Sequence, residues 1–331
     1  ANGRTVNARE LEKIFFQYLP SCVQETLYYK NLDIRKLENV MELSEDQEAI
    51  RRQLKEYGLV AFVADGSVLP RMSGVSQKPM KDAVPFVSPE SVRVTLKLPY
   101  YGEISGMGIR RGITLIVGGG YHGKSTLLKA LEMGIYPHIA GDGREYVITD
   151  PDAVKIRAED GRSIKHTDIS MFISDLPNQK DTVSFDTEDA SGSTSQAANV
   201  IEAMEAGAST FLIDEDTSAT NFMVRDELMQ KVIHKDMEPI TPFIERMQYF
   251  YKKFGISTVL VAGSSGAYFQ VADVIVQMDR YQPREITSRA KEATAGYQGL
   301  QFLEKEIQKP IMKRCPKKNT GLEHRGRIKL K

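Results

Sequence analysis

Cysteine is nearly absent: Cys22 and Cys315 are the only two in 331 residues. That excludes a disulfide framework and a zinc site built on thiolates, and it fits a reducing compartment. Long hydrophobic runs are missing too. No uninterrupted apolar stretch approaches the ~18 residues that cross a bilayer, so a fused membrane transporter is excluded and no membrane partner is expected. An excess of one charge is also lacking, because 44 Lys and Arg balance 44 Asp and Glu. No global field then draws the chain to nucleic acid or lipid, and any such partner must meet a local patch. The sequence opens "ANGRTV" without methionine. It is read as a trimmed or partial product, so the lack of a targeting peptide excludes nothing.

What is present is the mixture of a soluble globular protein, 41% hydrophobic and 27% charged, long enough for one large or two medium domains. "ARELEKIFFQYL" (8–19) and "SEDQEAIRRQLKEYG" (44–58) read as helices, the second capped by Ser44 and closed at Gly58. "LVAFVADG" (59–66) reads as a strand and turn, residues 67–89 as an extended connection, and "SVRVTLKLP" (91–99) as an alternating strand. Further on, "ITLIV", "REYVITD", "AVKIRAEDGRSI", "STFLID", "ISTVLVAG" and "DVIVQM" are strand candidates. "AVKIRAEDGRSI" is expected to turn at Asp160-Gly161, and "KSTLLKALEMG" to be a helix stopped by glycine. Buried strands alternating with helices predict an α/β fold with a largely parallel sheet.

"GGGYHGKST" (118–126) has the spacing G-x-x-x-x-G-K-[ST], after a buried strand and before a helix. Gly118, Gly119, Gly120, Tyr121, His122 and Gly123 would curl so that backbone N–H groups face phosphate oxygens. Lys124 would pair with the β- and γ-phosphates, Ser125 would offer a hydroxyl to Mg²⁺, and Thr126 completes the loop. His122 is read as a loop filler, since no partner for proton transfer is evident. The strand "STFLID" ends in Asp214, placed to hold magnesium through water. Glu215 follows and can orient or deprotonate the attacking water. Asp216 is expected to bond within the next turn.

"SGSTSQ" (191–196) precedes Ala197, Val200, Ile201 and Met204, which fall on one helical face. Ser193 and Gln196 have capping-box spacing. A capped helix start is also an anion site, and the two readings are compatible. Gly192 precedes Asp214 by 22 residues, which resembles the ABC-class arrangement of an L-S-G-G-Q signature leading to Walker B. Ser191 and Gly192 match the Ser-Gly of that motif, while Ser193 and Thr194 replace Gly-Gln. The resemblance implies that Ser191, Gly192 and Ser193 contact nucleotide on a second subunit. "DTSATN" (216–221) stands where the D-loop follows, and "VAGSSGAYFQVADVIVQM" (261–278) resembles the switch segment. Gly263, Ser264 and Ser265 occupy the place of its histidine, so a serine hydroxyl is expected to substitute. Gln179 is the nearest Q-loop candidate for a catalytic role, or else a plain surface glutamine. It lies 12 residues before Ser191, too close to admit a transporter's helical subdomain.

Together with "ISDLP", "KDT", "EAGASTFLIDEDTSATNFMVRD" and "EPITPF", these segments closely resemble a family described as predicted ATPases of the ABC class. The resemblance covers most of residues 59–290 and is most specific over 105–280. It implies a P-loop core (91–290), an extra N-terminal α+β region (1–90) and a basic C-terminal segment (291–331). It further implies ATP and Mg²⁺ as cofactors and a ring-like homodimer with a positively charged pore. The family occurs in bacteria and in kinetoplastid mitochondria, in the context of RNA editing. A mitochondrial location follows if the kinetoplastid likeness holds, and a cytoplasmic one otherwise. Residues 309–331 hold nine Lys or Arg and one acid, Glu323; they read either as a solvated tail or as a phosphate-binding patch for RNA or another nucleic acid. An ATP-switched clamp on nucleic acid is thus the leading expectation. A P-loop small-molecule kinase and an ATP-binding scaffold subunit are the alternatives.

Overall fold

The computed structural model describes residue 3 and residues 6–225 and 238–295; the basic stretch 309–331 lies outside the described residues. Three short strands of mostly aliphatic and β-branched residues, buried almost throughout, form its centre: β4 (Ile113–Val117), β9 (Thr210–Asp214) and β10 (Ser257–Val261). Such strands have no polar face to give to water, so they need cover on both sides. They lie in a six-stranded sheet of order β12-β11-β4-β10-β9-β6. Its other members are β6 (Ala153–Ile156), β11 (Val274–Asp279) and β12 (Gln282–Glu285). All neighbours pair in parallel except β11 with β12, an antiparallel edge hairpin.

A second sheet is wholly antiparallel, in the order β2-β3-β1-β5. It is built from β1 (Leu59–Ala64), β2 (Arg93–Leu98), β3 (Gly102–Arg110) and β5 (Val147–Thr149). The expected boundary at residue 90 runs through this sheet, since β1 precedes it and its partners follow. Helix α4 (Lys124–Met133) lies between the sheets. Leu127, Leu128 and Leu131 share one apolar cluster with Val60 and Val63 of β1 and with Leu212 and Val259 of the parallel sheet. On the outer face of the antiparallel sheet, α3 (Ile34–Glu56) buries Ile50 and Leu54 against Phe62, Leu96 and Ile148. Helix α5 (Gly192–Glu205) covers the other face of the parallel sheet through Ala197, Val200, Ile201 and Met204. Beside it Phe172, Phe211, Phe222, Phe243 and Phe250 pack ring against ring.

Two local expectations change. Ser44 does not cap a helix: α3 starts ten residues earlier, where the Asp33 side chain accepts from the Lys36 N–H. The first turns of α3 carry Ile34, Leu37 and Met41 at helical spacing, yet Met41 stays exposed, so this stretch is a helix that the protein's core does not cover. "AVKIRAEDGRSI" does turn at Gly161, with φ +80°. Its two strands do not pair with each other, however. β6 joins the parallel sheet, and β7 (Ile164–Thr167) pairs with β8 (Phe185–Thr187). No described helix is long and apolar enough to cross a membrane.

A polar clasp fastens the connection after β1 to the loop after α4. Arg71 binds Asp142 through a 2.9 Å ion pair, and His138 Nδ1 lies 2.6 Å from the same carboxylate. Arg144 donates to the Leu69 carbonyl; burial, then the Arg71 charge, lowers its pKa to about 10. Burial also lowers the His138 pKa, against the pull of Asp142.

Candidate functional site

The C-terminal ends of the parallel strands gather the candidate site residues. β4 stops at Val117, the loop 118–123 turns back, and α4 begins at Lys124. Gly118 and Gly123 have φ of +144° and +96°, conformations that only glycine adopts freely. A Cβ on Gly123 would also fall 2.9 Å from the Tyr281 ring. Lys124 Nζ donates to the carbonyls of Gly118 (2.8 Å) and Gly119 (2.9 Å). Among the described residues it pairs with no carboxylate, so its charge is uncompensated and fits an anion. Ser125 is exposed at the helix start, with Thr126 partly covered beside it.

Tyr121 is fully exposed and has φ +63°, a costly conformation for a non-glycine residue. His122 is no mere filler. Its Nδ1 accepts from the Arg280 N–H at 2.9 Å, its carbonyl accepts from the Tyr281 N–H, and Asp279 Oδ1 lies 3.4 Å from Nδ1. The β11–β12 hairpin thus braces the phosphate loop through its two-residue tip, Arg280-Tyr281, both at positive φ. Sequence reasoning missed this brace, because the only signal was a short break between strands, "DRYQ".

Asp214 ends β9 next to Val261 of β10 and is buried. Its Oδ1 accepts from the Asp216 N–H at 3.2 Å, which accounts for Asp216 in the following turn. Oδ2 makes no hydrogen bond among the described residues. A carboxylate with one free oxygen, together with the Ser125 hydroxyl, is a hard oxygen donor set of the kind magnesium takes, in part through water. Glu215 is held by three donors: the Gly263 N–H (2.7 Å), the Ser264 N–H (3.1 Å) and the Ser264 hydroxyl (2.8 Å). The same turn faces the phosphate loop, since a Cβ at Gly263 would lie 3.8 Å from Lys124 Nζ. Lys124 and Glu215 therefore flank one short segment, 263–264.

Helix α5 begins where the sequence suggests, but not with the expected capping box. Ser191 is the N-cap, and its hydroxyl bonds that of Thr194 at 2.9 Å. Ser193 and Gln196 turn inward because the helix starts two residues too early for them to cap it. The Ser193 hydroxyl donates to Asn221 Oδ1 (2.6 Å). Gln196, fully buried, donates to Ser218 and accepts from the Ala219 N–H. Gly192 is pressed against the 158–161 turn: a Cβ there would lie 2.9 Å from Asp160 Oδ1. Of the three residues expected to face a second subunit, Ser191 stays exposed and Ser193 does not.

Gln179 sits in an exposed turn at φ +56°, its N–H donating to Leu176. Among the described residues no hydrogen bond ties its side chain to the phosphate loop or to Asp214.

The uncharacterised protein MJ1628 of Methanocaldococcus jannaschii is 31% identical over 229 residues, covering 66% of this chain. The chain spans about half the length of that relative (50%). Among solved structures, cbiO1 from Clostridium perfringens, part of the ABC transporter complex cbiONQ, aligns over 72% of this chain and 92% of its own. The identity is 12% and the TM-score 0.42, a likeness too loose to carry function. The decisive match is the ABC_ATPase P-loop domain, whose family model spans residues 33–314 and so takes in the phosphate loop, Asp214 and the start of α5; the chain belongs to that family of ABC-class P-loop ATPases.

Proposed function

We propose that the chain binds ATP at residues 118–126 and hydrolyses it. The cycle closes and reopens a homodimer around RNA or another nucleic acid. The observation that carries the hydrolytic reading is the shared segment 263–264, with Lys124 on one side and Glu215 on the other. Lys124, with no carboxylate partner among the described residues, holds the terminal phosphates. Glu215 takes the proton of a water as its oxygen attacks the γ-phosphorus, and the bond to the β–γ bridging oxygen breaks to release ADP. Magnesium, when bound near Ser125 and Asp214, neutralises charge on the phosphate oxygens.

The clamp is supported by α5, whose exposed start is tied through Ser193 and Gln196 to the segment after Glu215. A second subunit's phosphate touching Ser191 would be felt there. The nucleic-acid partner rests on the family resemblance and on the basic residues 309–331.

Light scattering with and without ATP tests the clamp. Glu215→Gln with ATP should accumulate as dimer, and Ser191→Arg should bind ATP yet stay monomeric. A monomer under every condition, or full turnover in Ser191→Arg, would point to a single-subunit phosphotransferase instead. RNA binding should be present at low salt and weaken steeply as salt rises; no binding at low salt removes the nucleic-acid part.

A further inference from the structure

The hairpin tip between β2 and β3 presents two aromatic rings that the described residues leave uncovered. Tyr100 and Tyr101 are 52% and 58% exposed, yet their backbone is fixed. Buried Asp46 of α3 accepts from both N–H groups at 2.9 Å, one on each carboxylate oxygen. The Tyr101 ring also meets that of Tyr146 edge-on, with centroids 5.1 Å apart. Gln47, next in α3, donates to the His138 carbonyl and accepts from its N–H, which brings the exposed Tyr136 and Ile139 alongside. Apolar groups already held in place lose little freedom when a partner lies on them.

The field on this face is negative. A hydrogen bond to Glu45 and the charge of that group, with Glu42 and Asp46 adding to them, raise the Tyr100 pKa. Burial, then Asp46, Tyr101 and Glu145, push Tyr146 up to about 12. Lys97 of β2 is paired with Glu103 of β3 at 3.8 Å. Exposed rings set among carboxylates attract Lys and Arg, which lie over the ring faces and bond the acids. Anionic partners are repelled there. A segment of the required chemistry belongs to the chain itself: residues 309–331 carry nine Lys or Arg against Glu323. Thirteen residues, 296–308, separate it from Ala295, the last described. Such a length can span up to about 45 Å.

We propose that the face built from Tyr100, Tyr101, Glu42 and Glu45 is the docking site of the chain's own basic segment, 309–331. Its cations lie over the two rings and against the carboxylates. A docked segment is withheld from phosphate groups, so nucleic acid must displace it, and the face regulates access to the segment. The docking stands on this face and on the charge of the segment; the competition rests on the nucleic-acid reading above.

Carbodiimide cross-linking of the full chain, read by mass spectrometry, tests the docking. Lysines of 309–331 should couple to Glu42, Glu45 or Glu145 at low salt and fail to do so at high salt. Tyr100→Ala with Tyr101→Ala keeps both backbone bonds to Asp46 and should lower the yield about fivefold. Coupling that is absent at low salt, spread evenly over the protein's carboxylates, or unchanged in the double variant overturns the proposal. In a mixture of isotope-labelled and unlabelled protein, links between unlike chains would seat a second copy's segment and overturn docking within one chain. The competition is read with single-stranded RNA at low salt. Glu42→Gln with Glu45→Gln should bind it about three- to tenfold more tightly than wild type, because less of the segment is held back. Equal affinity overturns the regulatory role. No RNA binding by either protein removes the nucleic-acid reading instead, and the cross-links still decide the docking.

Discussion

Gln196 and Ala219 are joined across 23 residues of chain: the Gln196 Oε1 accepts from the Ala219 N–H at 2.8 Å, while its amide donates to Ser218 at 2.9 Å. One buried side chain thus binds the second turn of α5 to the segment that leaves Glu215. Gln196→Leu keeps the bulk and the helix propensity but leaves the Ala219 N–H without its partner. A cost of about 1–3 kcal/mol is expected, read as a shift in the urea midpoint. If the link carries nucleotide contact between the two elements, the variant should also lose ATP-dependent dimerisation while still binding nucleotide.

Gly123→Ala is opposed twice. The backbone at φ +96° disfavours any side chain, and the new methyl would meet the Tyr281 ring at 2.9 Å. Strain of about 1–2 kcal/mol is expected from the backbone alone, so titration with a fluorescent ATP analogue should show binding weakened about tenfold or more. Adding Tyr281→Ala should recover only the steric part, because the backbone penalty remains.

Much of this site is legible in the sequence because its parts are contiguous. The phosphate loop, the Asp214-Glu215 pair and the apolar face of α5 each lie within a few residues, and spacing along the chain fixes their geometry. What is not legible is what arrives from far away. The hairpin tip reaches His122 from 158 positions downstream, and Ser264 reaches Glu215 from 49 positions off. The capping-box pattern at Ser193 and Gln196 is present as letters, yet the helix begins at Gly192. Both polar side chains then serve tertiary bonds, which local spacing does not encode. The antiparallel sheet is hidden for the same reason, since β1 must find β3 across the irregular connection 65–89.

His138 makes stability depend on pH. Burial lowers its folded-state pKa below the ordinary 6.5, so the unfolded chain binds the proton more readily than the folded one. Stability is therefore fully present above the unfolded value and is lost as pH falls through the folded one. The wild-type melting midpoint should fall between pH 7.5 and pH 5.5. His138→Asn can still face Asp142 but does not titrate, and its fall should be smaller. An equal fall in both proteins would clear His138 of the effect.

Phe222 is fully buried in the short helix α6 (Thr220–Met223), its ring 4.9 Å from that of Phe172. Truncation to alanine opens a cavity in the aromatic cluster and is expected to cost about 3–5 kcal/mol, measurable by chemical denaturation. The adjacent Asn221 accepts from Ser193, so a loosened α6 should also expose the start of α5 to faster amide exchange. Phe222→Leu fills more of the space and should cost less on both readouts.

Asp214→Asn separates the structural from the metal-binding role of that residue. The amide keeps an oxygen for the Asp216 N–H, which Asp214 Oδ1 now serves at 3.2 Å, so the strand end and turn should persist and the melting midpoint should change little. What is lost is the negative charge behind Oδ2, which makes no hydrogen bond among the described residues. A hard dication held through water feels that charge directly, and outer partners of this kind are worth about 10–100-fold in metal affinity. Turnover measured against free magnesium should need about that much more metal in Asp214→Asn, and chelation with EDTA should abolish it in both proteins. Ser125→Ala should add to the requirement, since the hydroxyl supplies a separate oxygen. If Asp214→Asn loses stability but keeps its magnesium dependence, Asp214 serves the turn alone.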